Sequence, residues 1–291
     1  MKSFFIALQF LTRLKIVNQT NWTMEDFGKS VIAFPYVGLV IGLLLTIIYS
    51  IGQYIFPYST LLLIIVISEF LLTGGLHADG LMDTSDGIFS GRDRERMLEI
   101  MKDSRVGSFG VVAILFISLL KWQLLVAVPD YYYMPIILIM MPLMSRFTLV
   151  NSICSYPYAR KTGMGQAFSE MAPKHIVLKN TLSTFFMPLI IMIIVSPYII
   201  SSYMIEFVRT EGVISLPLIV WKVLFTILIV LTVVNTVSMI ISYIINYVLN
   251  HYIVKKLGGT TGDTYGFVVE VSEVLLLFVY VVALILYNYV Q

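Results

Sequence analysis

Charge is what this sequence has least of. Of its 291 residues only 12% are Asp, Glu, Lys or Arg, while 58% are hydrophobic. A soluble domain carries roughly 25% charged residues, so about half the expected charge is missing and a soluble globular class is excluded. A single cysteine, Cys154, excludes an internal disulfide. Histidine is scarce too: His175 and His251 have no partner at zinc-ligand spacing and read as structural or interfacial. A net charge of +2 gives no basis for nucleic-acid binding. Internal repeats, low-complexity stretches and domain boundaries are also missing, so residues 1–291 read as one polytopic domain.

What the chain has is lipid-compatible length. Its mean hydropathy is +0.90, and apolar runs of about 20 residues, each able to span a bilayer core, fall at 31–53, 59–76, 108–128, 134–152, 180–203, 217–249 and 272–290. The expected class is therefore an all-α integral membrane protein of about seven transmembrane helices. The sixth run is long enough to tilt, kink or project. The first 15 residues do not read as a cleavable signal, because Phe4 to Leu11 is short and Arg13 and Lys15 follow it. They read as a short interfacial helix. Basic residues gather before the first span, after the second (Arg92 to Arg105), after the fourth (Arg160 to Lys179) and after the sixth (Lys255, Lys256), whereas the opposite loops hold only Arg209. The positive-inside rule then places the N-terminus and these loops in the cytoplasm and the C-terminus outside.

Acids collect on the same side. Residues 74 to 87 read Gly-Gly-Leu-His-Ala-Asp-Gly-Leu-Met-Asp-Thr-Ser-Asp-Gly. Asp79, Asp83 and Asp86, at i, i+4 and i+7, share one face of a helix. Three stacked carboxylates repel each other unless a cation sits among them, and Mg²⁺ is the usual cation for oxygen-only ligands. The alternative is a solvated helix face. Glu69 lies inside the second span, where a charge costs about 2.5–3.5 kcal/mol at the bilayer centre; it is either protonated or turned to the metal site.

The three cytoplasmic loops supply the complement of that cluster. Met101 to Gly110 holds Lys102 and Arg105, 158–165 holds Arg160, and Leu257 to Gly266 holds Gly259, Gly262 and Asp263. Glycine-freed amides approach an anion closely, and Arg grips phosphate with paired hydrogen bonds. Each has a plainer reading: Lys102 and Arg105 as topology charges, Asp263 as the cap of a helix beginning near Tyr265, His77 as a packing residue. Arg92, Arg94 and Arg96 alternate with acids and read as surface charges. Glu270 and Glu273 at the mouth of the last span are costly unless paired or ligating.

The acid block, Met-Lys-Asp-Ser-Arg-Val-Gly-Ser-Phe-Gly at 101–110 and Gly-Gly-Thr-Thr-Gly-Asp-Thr-Tyr-Gly at 258–266 resemble the cobalamin synthase family, the adenosylcobinamide-GDP ribazoletransferases. Phe-Leu-Thr-Arg at 10–13, Ser-Arg at 145–146 and Ala-Arg-Lys-Thr-Gly-Met-Gly at 159–165 resemble it too, so the likeness runs to about Glu273. Met82 and Phe267 depart from the pattern where alanine is expected, and neither disturbs a charge.

The resemblance implies a reaction: adenosylcobinamide-GDP and alpha-ribazole, or its 5′-phosphate, are joined with release of GMP at a prokaryotic cytoplasmic membrane. It also implies roles. Asp79, Asp83 and Asp86, with Glu69 and Asp263, would hold Mg²⁺; Lys102, Arg105 and Arg160, with Gly259 and Gly262, would contact phosphate; His77 or Asp83 would serve the reacting hydroxyl. Partners would be the corrinoid nucleotide, alpha-ribazole and the bilayer, with homo-oligomers or other enzymes of the pathway as further associations. Two rivals have different signatures. A CDP-alcohol phosphotransferase needs Ala-Arg where this chain has Asp83-Thr84. A cation-coupled transporter places its ion sites near the midplane, whereas these acids gather at one surface.

Overall fold

A computed structural model describes residues 2–17, 21–129, 131–160, 163–173, 175–187 and 216–290. Among these the chain is helical, with one isolated bridge between Tyr158 and Thr260. The helices are α1 (Lys2–Leu11), α2 (Met24–Ser30), α3 (Phe34–Gly52), α4 (Tyr58–Thr73), α5 (Leu76–Phe89), α6 (Arg94–Ile100), α7 (Ser108–Val126), α8 (Met134–Ser155), α9 (Met164–Met171), α10 (176–187), α11 (Leu216–Leu257) and α12 (Gly262–Val290). Five helical stretches are long and apolar enough to cross a membrane, and a sixth span is reached by joining α4 to α5. Most of the expected fifth span, 180–203, lies outside the described residues, as does Arg209.

α8 is the axis of the bundle. Residues Met134 to Ile153 are buried all along it, and α3 lies against it through Gly38 and Gly42. A side chain on Gly42 would come 2.6 Å from Ile139 Cα, and one on Gly38 would strike the Pro142 carbonyl. Small residues four apart allow this backbone-to-backbone approach where no hydrophobic effect drives helices together. α11 and α12 pack on the other side of α8, and α7 is peripheral. The N-terminal segment is helical as expected; α1 buries Ile6, Ala7, Leu8 and Leu11 against the bundle.

One feature overturns a boundary. The run 59–76 is not a straight span: the helix stops at Thr73 and α5 leaves at 90° to α4. Gly74 (φ 63°) and Gly75 (φ 75°) are both left-handed, a conformation open to glycine at little cost. Gly75 N–H donates to Phe70 O and Gly74 N–H to Leu71 O, the Schellman arrangement that ends a helix. Arg13 braces the corner, donating its N–H to Leu72 O at 2.8 Å and packing its side chain where a Gly74 Cβ would stand. The corner turns the acid helix out of the line of the apolar arm α4.

Candidate active site at the loop end of the bundle

α5 meets α12 glycine to glycine. A Cβ on Gly80 would lie 2.5 Å from Asp263 O, and one on Gly266 2.7 Å from His77 O. Only bare backbone permits that crossing, and it brings Asp79 and Asp83 beside Asp263. α12 begins at Gly262, ahead of the expected Tyr265, because Thr261 and Thr264 cap it reciprocally: Thr264 N–H donates to Thr261 Oγ1 at 3.2 Å, and Thr261 N–H to Thr264 Oγ1 at 2.8 Å. Asp263 therefore sits in the first turn of a 29-residue helix, where a negative charge is favoured.

The three polar loops do converge. Thr260 N–H donates to Pro157 O and Ala159 N–H to Thr260 O, both at 2.8 Å. Gly259 makes this possible, since a Cβ there would fall 2.6 Å from Pro157 O. Arg94 ties in the third loop: its Nε donates to Leu257 O at 2.7 Å and its Nη2 to Ala159 O at 3.4 Å. Arg94 is thus a brace at the end of α11 rather than the free surface charge expected from its alternating context. Below the loops Ile88, Met97, Met101, Ile253, Leu257 and Val268 form a small apolar core that fixes α5, α6, α11 and α12 together.

The three acids of α5 share a face but not an environment. Asp79 is exposed and Asp83 half-buried. Burial, then the charges of Asp79, Asp263 and Asp86, push the Asp83 carboxyl up to about 7, with Arg160 opposing. Asp86 is buried and accepts from Gly107 N–H at 2.7 Å and Gly110 N–H at 2.9 Å. Both its oxygens are engaged by the orphan amides at the start of α7. A Cβ on Gly107 would strike Asp86, and one on Gly110 would lie 2.6 Å from its Oδ2. The three acids are therefore not equivalent: Asp86 is buried and clasps the start of α7, whereas Asp79 is exposed and Asp83 half-buried.

Arg160 completes the site. Its Nη2 lies 2.8 Å from Asp263 Oδ2 as an ion pair without hydrogen-bond alignment, while its buried Nε has no acceptor among the described residues. Gly262 has open space around it. Lys102 is exposed, and Arg105, also exposed, is paired with Asp103 at 2.7 Å; that pairing holds Asp103 down at about 2. Neither is drawn to the acids by any contact among the described residues. His77 is 3% exposed, lies against α12 and leaves Nε2 without a partner among the described residues.

Glu69 departs furthest from expectation. It lies in a buried ion-pair cluster, 3.3 Å from Lys121 Nζ and 3.4 Å from Arg146 Nη1. Lys121 also pairs with Glu270 at 3.0 Å and Glu273 at 2.5 Å, and Arg146 pairs with Glu273. The cations that a transporter would need as passengers are here side chains, and Glu69 is committed to them. Lys121 and Arg146 fall within the apolar runs 108–128 and 134–152, and two cations with three acids in apolar helices are the sequence signal for such pairing.

Among the described residues no three His, Cys, Asp or Glu side chains form a ready metal cage. Magnesium ordinarily takes one or two carboxylates and fills its octahedron with water and substrate phosphate. One or two of Asp79, Asp83 and Asp263, hard oxygens that repel one another, would suit that habit.

Residues 3–281 match the family described as cobalamin-5-phosphate synthase. The chain belongs to that family. It is 34% identical over 298 residues to the adenosylcobinamide-GDP ribazoletransferase of Fusobacterium nucleatum, covering 97% of this chain and 98% of that protein. The proteins of that name from Clostridioides difficile and Desulfitobacterium hafniense are 33% and 32% identical, covering 96% and 95% of this chain and 97% and 95% of their own lengths. No solved structure matches the chain. A CDP-alcohol phosphotransferase is not favoured by these relatives.

Proposed function

We propose that this membrane cobalamin-5-phosphate synthase is an adenosylcobinamide-GDP ribazoletransferase and that the crossing of α5 and α12 is its active site. One observation carries the assignment of the site: Asp263 and Arg160, with an unused buried guanidinium N–H, face Asp79 and Asp83 across a glycine contact. An acid cluster short of positive charge beside an arginine short of an acceptor suits a pyrophosphate bridged by a divalent cation.

The hydroxyl of alpha-ribazole, or of its 5′-phosphate, attacks the phosphorus bonded to the cobinamide arm. An O–P bond forms, the bridging P–O bond breaks, and GMP leaves with the electron pair. Mg²⁺ held by Asp79, Asp83 and Asp263 would supply charge neutralisation on the phosphates. Arg160 grips a phosphate oxygen through Nε while Asp263 orients it. The loose transition state asks more of electrostatics than of a strong base, so Asp83 acts here through the cation, the hydroxyl proton passes to water, and His77, buried against α12, is given no step. Lys102 and Arg105 draw anionic substrate towards the mouth.

In this reading about seven spans cross the prokaryotic cytoplasmic membrane, with 180–203 as the fifth and all three polar loops in the cytoplasm. The deciding experiment incubates the purified chain in detergent with Mg²⁺, adenosylcobinamide-GDP and alpha-ribazole. GMP and adenosylcobalamin in equal amounts are expected; intact substrates at full incubation would remove the assignment.

A further inference from the structure

The ion-pair cluster lies two to three turns below Asp263 on the same helix. Glu270 and Glu273 of α12 meet Lys121 of α7, Arg146 of α8 and Glu69 of α4. Ser145 Oγ donates to Glu273 Oε1 at 2.9 Å, closing a network in which four helices are fixed by charge. Buried ion pairs contribute little net stability compared with an apolar core, but they specify register. The register here matters, because α12 presents Asp263 to Asp79, Asp83 and Arg160, and at about 1.5 Å per residue Glu270 stands only ~10 Å further along the axis. Lys121 is the sole residue by which α7 enters the cluster, and α7 is also the helix whose start is clasped by Asp86.

We propose that Lys121 and Glu270 are positioning residues for the active site: their pair, buried at Lys121 and partly buried at Glu270, fixes the depth and rotation of α12, and thereby sets Asp263 against the acids of α5. The proposal rests on the reading of Asp79, Asp83 and Asp263 as cation ligands. It assigns the pair no contact with substrate.

The test uses the full chain in lipid nanodiscs, Mn²⁺ as the bound probe followed by its paramagnetic resonance, and thermal unfolding in parallel. Glu270→Gln leaves two carboxylates against two cations, so the fold is retained. Lys121→Met with Glu270→Gln keeps the charge excess of the natural cluster while removing the tie to α7. Both are expected to melt near the wild type yet need on the order of tenfold more Mn²⁺ for half-saturation, the usual effect of disturbing what supports a ligand. GMP release at saturating Mg²⁺ should stay within a few-fold. Wild-type Mn²⁺ half-saturation in Glu270→Gln, whatever its melting temperature, overturns the proposal and leaves the cation site standing. Asp83→Asn separates the two: if it binds Mn²⁺ as the wild type does, the cation reading falls and this proposal with it.

Discussion

Replacing Asp86 by alanine should unfold this protein before it slows it. The buried carboxylate accepts two backbone N–H groups, at 2.7 and 2.9 Å, from Gly107 and Gly110. Hydrogen bonds to a charged group contribute about 1.5–3 kcal/mol each. The two lost together put the cost at about 3–6 kcal/mol. A loss of that size lowers the melting midpoint on the order of 10 °C. Asp86→Asn should fall in between, since its amide keeps one acceptor and turns a donor towards an N–H. The assay is thermal unfolding in detergent, with hydrogen exchange at the start of α7, where protection of Gly107 and Gly110 should drop while the centre of α8 is unchanged. An Asp86→Ala protein that melts with the wild type but no longer responds to Mg²⁺ would refute the clasp and restore Asp86 to the metal site.

Asp83→Asn should behave in the opposite way, because relieving repulsion from Asp79, Asp263 and Asp86 cannot harm the fold. Turnover is expected to fall by orders of magnitude at wild-type accumulation, with Asp93→Asn silent, since Asp93 only caps α6 through Arg96 N–H and asparagine caps equally well; equal behaviour of the two would sink the site. Activity should vanish with a chelator and return with Mg²⁺ or Mn²⁺, and full turnover in metal-free buffer would exclude the cation. Gly80→Ala should cost about 1–3 kcal/mol by overpacking against Asp263 O and part α5 from α12, reported as loss of both melting temperature and product. With Cys154 replaced, cysteines at Arg92, Lys102 and Lys255, all exposed at the loop end, should label only from the cytoplasm; labelling of any one from outside breaks the single-face site.

Much of this was legible in the residues. Among the described residues the apolar runs became helices, with 59–76 broken at its end, the acid block became a helix, and the polar loops met, because hydrophobic periodicity and glycine-rich punctuation are local signals. What escaped is long-range or angular. Gly74-Gly75 was visible as a pair at the end of an aliphatic run, yet only the two left-handed residues together turn α5 through 90°. Spacing alone placed Asp79, Asp83 and Asp86 on one face, and could not show that the last reaches the start of a helix beginning more than twenty residues later. The partners of Glu69 stand 52 and 77 residues away and those of Glu273 more than 120, so no window of sequence contains a pair.

The division of charge between two places decides between the enzyme and its rivals. In the interior three acids face two bases within salt-bridge distance, and the cluster is almost closed on itself. At the loop end Arg160 pairs with Asp263, and burial followed by the charges of Asp79, Asp263 and Asp86 raises the Asp83 carboxyl. A transporter requires its unfilled acids deep in the bundle, where an ion must shed water and be released on either side. Here the deep acids are satisfied by side chains that cannot leave, and the unfilled ones stand beside a buried arginine N–H that asks for an anion. Acids beside an arginine are complementary to a metal-bound phosphate, the group that a GDP-activated substrate would bring to the proposed site.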